Sequence, residues 1–236
     1  MKKAIPNTIT CLNLFTGCVA IFAAFQDNLV FAALLVYIAA IFDFLDGMLA
    51  RLLHAYSEIG KQLDSLADMV SFGVLPGVIM FKLMQQAIRS SEAASLVTME
   101  LFPFFAFIMV IFSALRLAKF NIDSRQTSSF IGVPTPANTL LISSLPLILD
   151  NDVFGLHEFI LNPVTLGVLT LLMSYLLVAE IPLFALKFKN LTWKDNSIRF
   201  IFLLIALPLL FLLKFAAIPL IIVLYILLSL IKPSYS

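Results

Sequence analysis

Long apolar runs alternate with short polar segments along the whole chain. Polar breaks near 26–28, 51–61, 85–98, 120–131, 150–162, 187–196 and 214 separate apolar runs of approximately 8–25, 29–50, 63–84, 100–119, 134–149, 163–186, 198–213 and 215–231. A membrane core about 30 Å thick takes about 20 residues to cross as a helix, and most of these runs approach that length. The pattern predicts an all-α fold, a polytopic transmembrane helical bundle of about eight spans.

The end of the chain is the least certain part of this pattern. The runs over 198–213 and 215–231 are short, and each is interrupted by a proline, Pro208 in the first and Pro219 in the second. A seven-span or re-entrant ending therefore stays open. We expect a single membrane domain over 1–236, with a six-helix core over about 6–186 and additional C-terminal spans over about 198–231.

Composition excludes a soluble domain. Of the 236 residues, 61% are hydrophobic and only 12% are charged, whereas soluble domains carry about 25% charged residues. The alternating pattern of a membrane β-barrel is absent, which leaves helices as the spanning elements. The net charge of +1 gives no reason to expect a nucleic-acid partner.

The basic residues fall mostly on one side of the eight-span pattern. That side carries Lys2, Lys3, Arg51, Lys61, Arg116, Lys119, Arg125, Lys187, Lys189, Lys194, Arg199 and Lys232. Arg89 and Lys214 fall on the other side. Because cytoplasmic loops are enriched in Lys and Arg, we expect both termini in the cytoplasm, with the segment between the second and third spans at the cytoplasmic surface.

That segment, DFLDGMLARLLHAYSEIGKQLDSLAD, concentrates acidic residues next to apolar spans. Asp43 and Asp46 are three residues apart, and Asp64 and Asp68 are four apart, so each pair shares one face of a helix. Gly47 follows the first pair of aspartates, and Gly60 precedes the second pair on the same helix face. Two helices joined by a short turn would therefore bring four carboxylates together beside an open space.

Four carboxylates need more positive charge than the sequence supplies nearby. A charge inside a membrane helix costs about 2.5 to 3.5 kcal/mol at the bilayer centre, and only Arg51 and Lys61 lie close in sequence. Bound cations would make up the difference, and an all-oxygen ligand set suits Mg²⁺, Mn²⁺ or Ca²⁺ better than Zn²⁺. Two such ions would suit a site that binds a diphosphate and favours displacement at phosphorus. An ion or proton pathway and a purely structural role stay open.

The spacing of these residues resembles a family signature. It reads Asp43-x2-Asp46-Gly47-x2-Ala50-Arg51-x8-Gly60-x3-Asp64-x3-Asp68, which is similar at every fixed position to that of the CDP-alcohol phosphatidyltransferases. The resemblance implies an enzyme that displaces CMP from a CDP-linked membrane lipid with an alcohol, using two divalent ions, Mg²⁺ or Mn²⁺. It implies that all four aspartates are metal ligands and that Asp68 is also the base that takes the alcohol proton.

The same resemblance implies a nucleotide site and an oligomer. The residues that would contact nucleotide or phosphate are Asn7, Thr10, Gly47, Ala50, Arg51 and Gly60. Small residues would let the cytidine approach the backbone, and Arg51 would contact a phosphate. Ca²⁺ can occupy such a metal site, and the family resemblance implies a homodimer.

The flanking segments resemble one branch of this family. DMVSFGVLPG, RLAKFN and FIGVPTPAN are similar to segments of the bacterial membrane-integral phosphatidylserine synthases, over about Pro6 to Pro146. This implies transfer of the phosphatidyl group from CDP-diacylglycerol to L-serine, with CMP released, at the bacterial cytoplasmic (inner) membrane. Phosphatidylglycerophosphate synthase is the alternative, although Asn13 stands where we would expect an arginine in that relative.

Three residues are candidates for the acceptor site. Serine presents a carboxylate and an ammonium, so one guanidinium with nearby polar groups would bind it. Arg116, with Asn121 close by, is our candidate for the carboxylate, and Ser71 would shape the site. Glu180 is a separate functional-site candidate without an assigned role, because a carboxylate predicted inside a span suggests function; solvation at the membrane interface would also explain its position.

A transporter is the competing class. It would use the acidic cluster as a cation or proton site, and it would be expected to spread acidic residues over several spans at mid-depth. Here the four aspartates lie together at the predicted cytoplasmic end. That placement favours the enzyme.

Overall fold

The chain folds into a bundle of helices. The computed structural model describes residues 4–90, 100–123, 129–152, 154–184 and 192–231. Within these ranges the α-helices are α1 (Ala4–Phe25), α2 (Leu29–Leu52), α3 (Glu58–Asp68), α4 (Leu75–Ser90), α5 (Phe107–Ile122), α6 (Thr135–Asn151), α7 (His157–Ile160), α8 (Pro163–Val178), α9 (Trp193–Leu213) and α10 (Ala217–Ile231). A π-helix (Met69–Val74) joins α3 to α4, and 3₁₀ turns precede α5 (Phe102–Ala106) and α10 (Lys214–Ala216).

Five helical stretches of the described chain are long and apolar enough to cross a membrane. They are 4–25, 29–52, 58–89, 102–122 and 196–231. The predicted runs over 134–149 and 163–186 form α6 and α8, of 17 and 16 residues, which are shorter than a full span. The chain is an integral membrane protein with a helical fold, as predicted, whereas the expected number of about eight spans is not confirmed.

The sixth predicted run is helical for only part of its length. Helix α8 ends at Val178 because Ala179 adopts an extended backbone. The chain then forms strand β2 (Pro182–Phe184), which pairs antiparallel with β1 (Ser129–Ile131). This two-stranded ribbon was not predicted, and it leaves Glu180 between α8 and β2, outside any helix.

The last two predicted runs form one helical stretch that is broken in the middle. Lys214 adopts a left-handed backbone conformation with φ of 49°, which a lysine rarely does within a helix. The helices on either side, α9 and α10, pack against each other. The predicted break at Lys214 is therefore present.

Small residues allow α1 to approach the π-helix closely and α4 to approach α5 closely. A Cβ added at Gly17 of α1 would lie 2.4 Å from the hydroxyl oxygen of Ser71, and one at Gly77 of α4 would lie 2.4 Å from Val110 of α5. Close backbone approach at small residues is the usual basis of helix packing in membranes. These contacts fix α1 and α5 against the π-helix and α4.

The π-helix between α3 and α4 has an identifiable cause. Pro76 has no backbone N–H, so the carbonyl four residues earlier, on Phe72, loses its normal helical donor. The hydroxyl of Thr139 in α6 donates to that carbonyl at 2.9 Å. Short π segments inside helices are frequent at functional sites, and this one begins directly after Asp68.

Candidate active site

A tight connection brings α2 and α3 together at one end of the bundle. The amide of Ala55 donates to the carbonyl of Ala50 at 2.9 Å, and His54 takes up a positive φ of 49° to complete the turn. Ser57 then caps α3, because its hydroxyl accepts the amide of Gly60 at 3.0 Å. This local structure places the two acidic helix faces side by side.

Three of the four predicted carboxylates form one cluster. Asp43, Asp64 and Asp68 each direct a carboxylate oxygen to within 4.8 Å of the others, and all three side chains are half-buried. The carboxyl groups of Asp43 and Asp68 lie within hydrogen-bonding reach of each other. One oxygen of Asp68, Oδ1, is buried and has no hydrogen-bond partner in the described protein.

The fourth carboxylate, Asp46, lies beside this cluster rather than within it. Its Oδ2 accepts a hydrogen bond of 2.6 Å from the hydroxyl of Thr10 in α1, and both side chains are buried. Thr10 was predicted to contact nucleotide. In the structure its hydroxyl donates to Asp46, and its side chain also borders the adjacent cavity.

A cavity of about 460 Å³ opens next to the carboxylates, between the start of α1, the end of α2 and the start of α3. Its walls include all six residues predicted to contact nucleotide or phosphate, namely Asn7, Thr10, Gly47, Ala50, Arg51 and Gly60. Asp46 and Asp64 also border it, and Lys61 adds a second cation beside Arg51. Residues far apart in the chain therefore converge on one cavity.

The two glycines of this cavity act differently. A Cβ at Gly60 would lie 3.0 Å from Oδ1 of Asn7 and 3.0 Å from the hydroxyl of Ser57, so this glycine permits α3 to pack against α1. A Cβ at Gly47 would meet only the guanidinium nitrogens of Arg51, at 4.0 Å. The space at Gly47 is thus open to a ligand.

The carboxylate cluster fits a divalent metal. Its donors are oxygens only, which suits Mg²⁺, Mn²⁺ or Ca²⁺. Buried polar atoms normally have a partner, so the unpartnered Oδ1 of Asp68 indicates that a group from outside the protein completes the site. The cluster could therefore bind a metal through Asp43, Asp64 and Asp68, with Asp46 adjacent.

Arg116 is a buried cation on α5. Its side chain is buried, with 7% of its surface exposed, and its charge interacts with that of Asp68. One nitrogen, Nη1, donates to the hydroxyl of Thr135 at 3.4 Å, while Nε has no partner in the described protein. A buried guanidinium with so few acceptors is suited to bind an anion.

A second cavity, of about 330 Å³, opens at Arg116. It is lined by Arg116, Lys119, Ile122, Asp123, Ile131, Leu177, Val178 and Glu180. The sequence had suggested Arg116 and Glu180 separately, without indicating that they share a cavity. The signal that was missed is the packing of α5 against α8, since Glu180 lies just past the end of α8.

The other two predicted acceptor residues make contacts within the protein. The hydroxyl of Ser71 donates to the backbone carbonyl of Asn13 at 3.1 Å and faces α1. The amide nitrogen of Asn121 donates to the hydroxyl of Ser65 at 2.9 Å, and its backbone carbonyl accepts from Lys61 at 3.4 Å. Neither Ser71 nor Asn121 lines the cavity at Arg116.

The end of the bundle opposite the carboxylate cluster carries an ion pair. The Lys82 ammonium forms an ion pair with Asp27 in the turn between α1 and α2, and the hydrogen bond holds the pKa of Asp27 below its usual value. Lys82 therefore lies with Asp27, away from the aspartate cluster. Acidic residues with metal-ligand spacing occur, within the described chain, only at the α2–α3 end.

Helices that cross a membrane, a cluster of carboxylates at one end and a polar cavity beside it define an integral membrane protein with an acidic site that could bind a metal ion. The model of the CDP-alcohol phosphatidyltransferase family matches residues 3–179. This chain belongs to that family, and the resemblance seen in the aspartate signature is confirmed.

Individual relatives carry a more specific name. The chain is 36% identical over 232 residues to a CDP-diacylglycerol--serine O-phosphatidyltransferase of Helicobacter pylori, covering 96% of this chain and 90% of the relative. It is 33% identical over 181 residues to the protein of the same name in Bacillus subtilis, covering 75% and 88%. A Methanocaldococcus jannaschii protein of that name is 30% identical over 177 residues, covering 75% and 72%.

Proposed function

We propose that this protein is a phosphatidylserine synthase, which transfers the phosphatidyl group of CDP-diacylglycerol to the hydroxyl of L-serine and releases CMP. The observation that carries the proposal is the carboxylate cluster, Asp43, Asp64 and Asp68, beside a cavity lined by the remaining signature residues. The names of the relatives given above specify the same donor, CDP-diacylglycerol, and the same acceptor, serine. The reaction would belong to phospholipid biosynthesis.

The metal site is the first part of the proposal. Asp43, Asp46, Asp64 and Asp68 would together hold two divalent cations, Mg²⁺ or Mn²⁺. When bound, these ions would neutralise the diphosphate and the negative charge that develops on the leaving CMP. The hydrogen bond from Thr10 keeps the Asp46 carboxylate oriented toward this site.

The protein's own groups would act on the acceptor and the leaving group. Asp68 would accept the serine hydroxyl proton as that oxygen bonds to the phosphorus of the phosphatidyl group. The bond from the same phosphorus to the bridging oxygen breaks, and its electron pair leaves with CMP. The α2–α3 cavity would hold the cytidine and phosphate, with Arg51 and Lys61 as cations at its wall.

The acceptor would bind at Arg116. The carboxylate of serine would accept a hydrogen bond from Nε of Arg116, which has no partner in the described protein. It would also balance the buried positive charge of the guanidinium. The electrostatic interaction between Arg116 and Asp68 supports an anion site on the same side as the proposed base. We propose that Asn121 and Ser71 support the structure around the acceptor site. Asn121 does so through its hydrogen bond to Ser65, and Ser71 through its hydrogen bond to α1.

The membrane arrangement is also a proposal. We propose eight membrane segments in one domain, formed by a six-helix core through α8 and by α9 and α10 as an additional pair, with both termini in the cytoplasm of a bacterial cell. Arg51, Lys61, Arg116 and Lys119 would then lie at the cytoplasmic side, where serine is available. The protein would act as a homodimer in the inner membrane.

The test is release of CMP from CDP-diacylglycerol by the purified protein with Mg²⁺ or Mn²⁺. L-serine, glycerol 3-phosphate and inositol are compared as acceptors, and the lipid product is identified by mass spectrometry. We expect CMP release that depends on both serine and divalent metal. Serine-independent release with glycerol 3-phosphate would assign the alternative phosphatidylglycerophosphate synthase activity, and no release with any acceptor would favour the transporter class.

A matched pair of variants separates chemistry from folding in this assay. Asp68→Asn should lower turnover at least a hundredfold, because a general base contributes about 10²- to 10⁴-fold. Asp150→Asn makes the same change at an exposed position in the last turn of α6 and should leave turnover unchanged. Substantial turnover by Asp68→Asn would argue against Asp68 as the base.

A further inference from the structure

The cavity at Arg116 contains charges of both signs. Arg116 and Lys119 contribute positive groups, and Asp123 and Glu180 contribute negative groups, around an apolar wall that includes Leu177 and Val178. Asp123 interacts with another part of the protein, whereas the Glu180 carboxylate makes no ion pair with the described residues. A cavity of this kind offers separate sites for an anion and for a cation.

Backbone hydrogen bonds fix the position of the segment that carries Glu180 relative to the Arg116 side of the cavity. The amide of Gly132 donates to the carbonyl of Ile181, the residue after Glu180, at 3.0 Å, and the amide of Val133 donates to Leu176 at 2.9 Å. Thr135, two residues after Val133, receives the hydrogen bond from Arg116. These hydrogen bonds join the segment that carries Glu180 to the segment that Arg116 contacts.

Gly132 is required for this frame. It has a φ of +74°, and a Cβ there would lie 2.6 Å from the carbonyl oxygen of Leu177 and 3.1 Å from that of Ala179. The segment before α6 can therefore approach the end of α8 only with glycine at this position. The close approach fixes the wall of the cavity from which Glu180 projects.

We propose that Glu180 binds the ammonium group of the amino-acid acceptor, while Arg116 binds its carboxylate. The inference rests on the proposed function and adds a residue that determines specificity. An acceptor that carries both charges satisfies both sites at once. Acceptors that carry only phosphate or hydroxyl groups leave the Glu180 carboxylate without its cation, and this lowers their affinity.

The test is steady-state kinetics of Glu180→Gln with varied L-serine and saturating CDP-diacylglycerol. Glutamine keeps the size of the side chain and removes its charge. We expect the KM for serine to rise at least tenfold, as for loss of a charge-assisted hydrogen bond, with the KM for CDP-diacylglycerol unchanged and kcat changed less than threefold. Glu180→Asp, which retains the charge, should recover part of the serine affinity.

Glu158→Gln is the matched control, because it makes the same substitution at an exposed position of α7, outside the cavity. It should change the KM for serine less than threefold. An unchanged KM in Glu180→Gln, or an equal rise in Glu158→Gln, would overturn the assignment of Glu180. A fall in kcat with no change in KM would likewise overturn it.

An acceptor analogue separates ammonium binding from a general effect on the cavity. 3-Hydroxypropanoate is serine without the amine, and its inhibition constant against serine should be the same in the wild type and in Glu180→Gln. Weaker inhibition in Glu180→Gln would mean that the substitution disturbs the whole cavity. If the wild type uses another acceptor and ignores serine, the proposed function itself fails, and that outcome is distinguishable from an unaffected Glu180 variant.

Discussion

Gly47→Ala should make the folded protein more stable and its substrate binding weaker. Gly47 lies inside α2, directly after Asp46. A Cβ at this position would meet only the two terminal guanidinium nitrogens of Arg51, both at 4.0 Å, which is ordinary van der Waals contact. The added methyl therefore enters the α2–α3 cavity without disturbing a neighbour.

The added methyl should raise the free energy of unfolding and lower the affinity for the nucleotide. Alanine is about 0.8 to 1 kcal/mol more favourable than glycine in a helix interior, so the free energy of unfolding should rise by up to that amount. If the nucleotide contacts the α2 backbone there, the methyl overfills the occupied site at a cost of about 1 to 3 kcal/mol. Such a cost corresponds to about a 5- to 150-fold loss of affinity.

The assay combines thermal unfolding in detergent with binding of CMP and the KM for CDP-diacylglycerol. Gly167→Ala is the control. It makes the same change inside α8, where the new Cβ would be 3.4 Å from Phe102, away from the cavity. It should leave CMP binding and the KM unchanged.

Either measurement can refute the reasoning. Unchanged CMP affinity and KM in a stabilised Gly47→Ala protein would mean that the ligand does not approach α2 at this residue. A loss of stability in Gly47→Ala would mean that the space at Gly47 is occupied in the folded protein. Only a rise in stability together with weaker binding supports a nucleotide site in this cavity.

Three further predictions test the frame, the metal site and the topology. Gly132→Ala should destabilise the protein by more than Gly155→Ala as measured by thermal unfolding, because both have positive φ but only Gly132 has carbonyls in contact; equal effects would contradict the close approach. Thr10→Val, which removes the 2.6 Å hydrogen bond to Asp46, should raise the half-saturating Mn²⁺ concentration about tenfold. Thr8→Val should leave it unchanged, since Thr8 bonds only to the carbonyl of Ala4 at the exposed surface. In intact cells, with Cys11 and Cys18 replaced by alanine, a membrane-impermeant maleimide should label a cysteine at 158 and not one at 58; the reverse pattern would invert the proposed orientation.

The helical class and the acidic site could be predicted because each depends on short-range patterns. Apolar runs mark helices that face lipid, and carboxylates three and four residues apart must share a helix face. The intervening turn is short enough to leave few arrangements for the two faces. The hydrogen bond from Thr10 to the Asp46 carboxylate could not be predicted in this way, because Thr10 is distant in sequence.

Features that depend on long-range contacts were not predictable in the same way. The end of α8 at Val178 depends on pairing between β1 and β2, which are about fifty residues apart. Pro76 was a local sign that the helix after Asp68 would be disturbed, whereas the hydrogen bond from Thr139 to Phe72 comes from a distant part of the chain. The count of spans depends on helix lengths that hydropathy alone sets poorly, as α6 and α8 illustrate.

The two cavities place a geometric condition on the proposed reaction. Asp64 borders the α2–α3 cavity, and Asp68, one helical turn further along α3, interacts with Arg116 at the second cavity. In-line displacement at phosphorus needs the attacking hydroxyl and the leaving group on opposite sides of that atom. We propose that a nucleotide in the first cavity and an amino acid in the second meet this condition, with the phosphorus near the carboxylates and the diacylglycerol extending into the lipid.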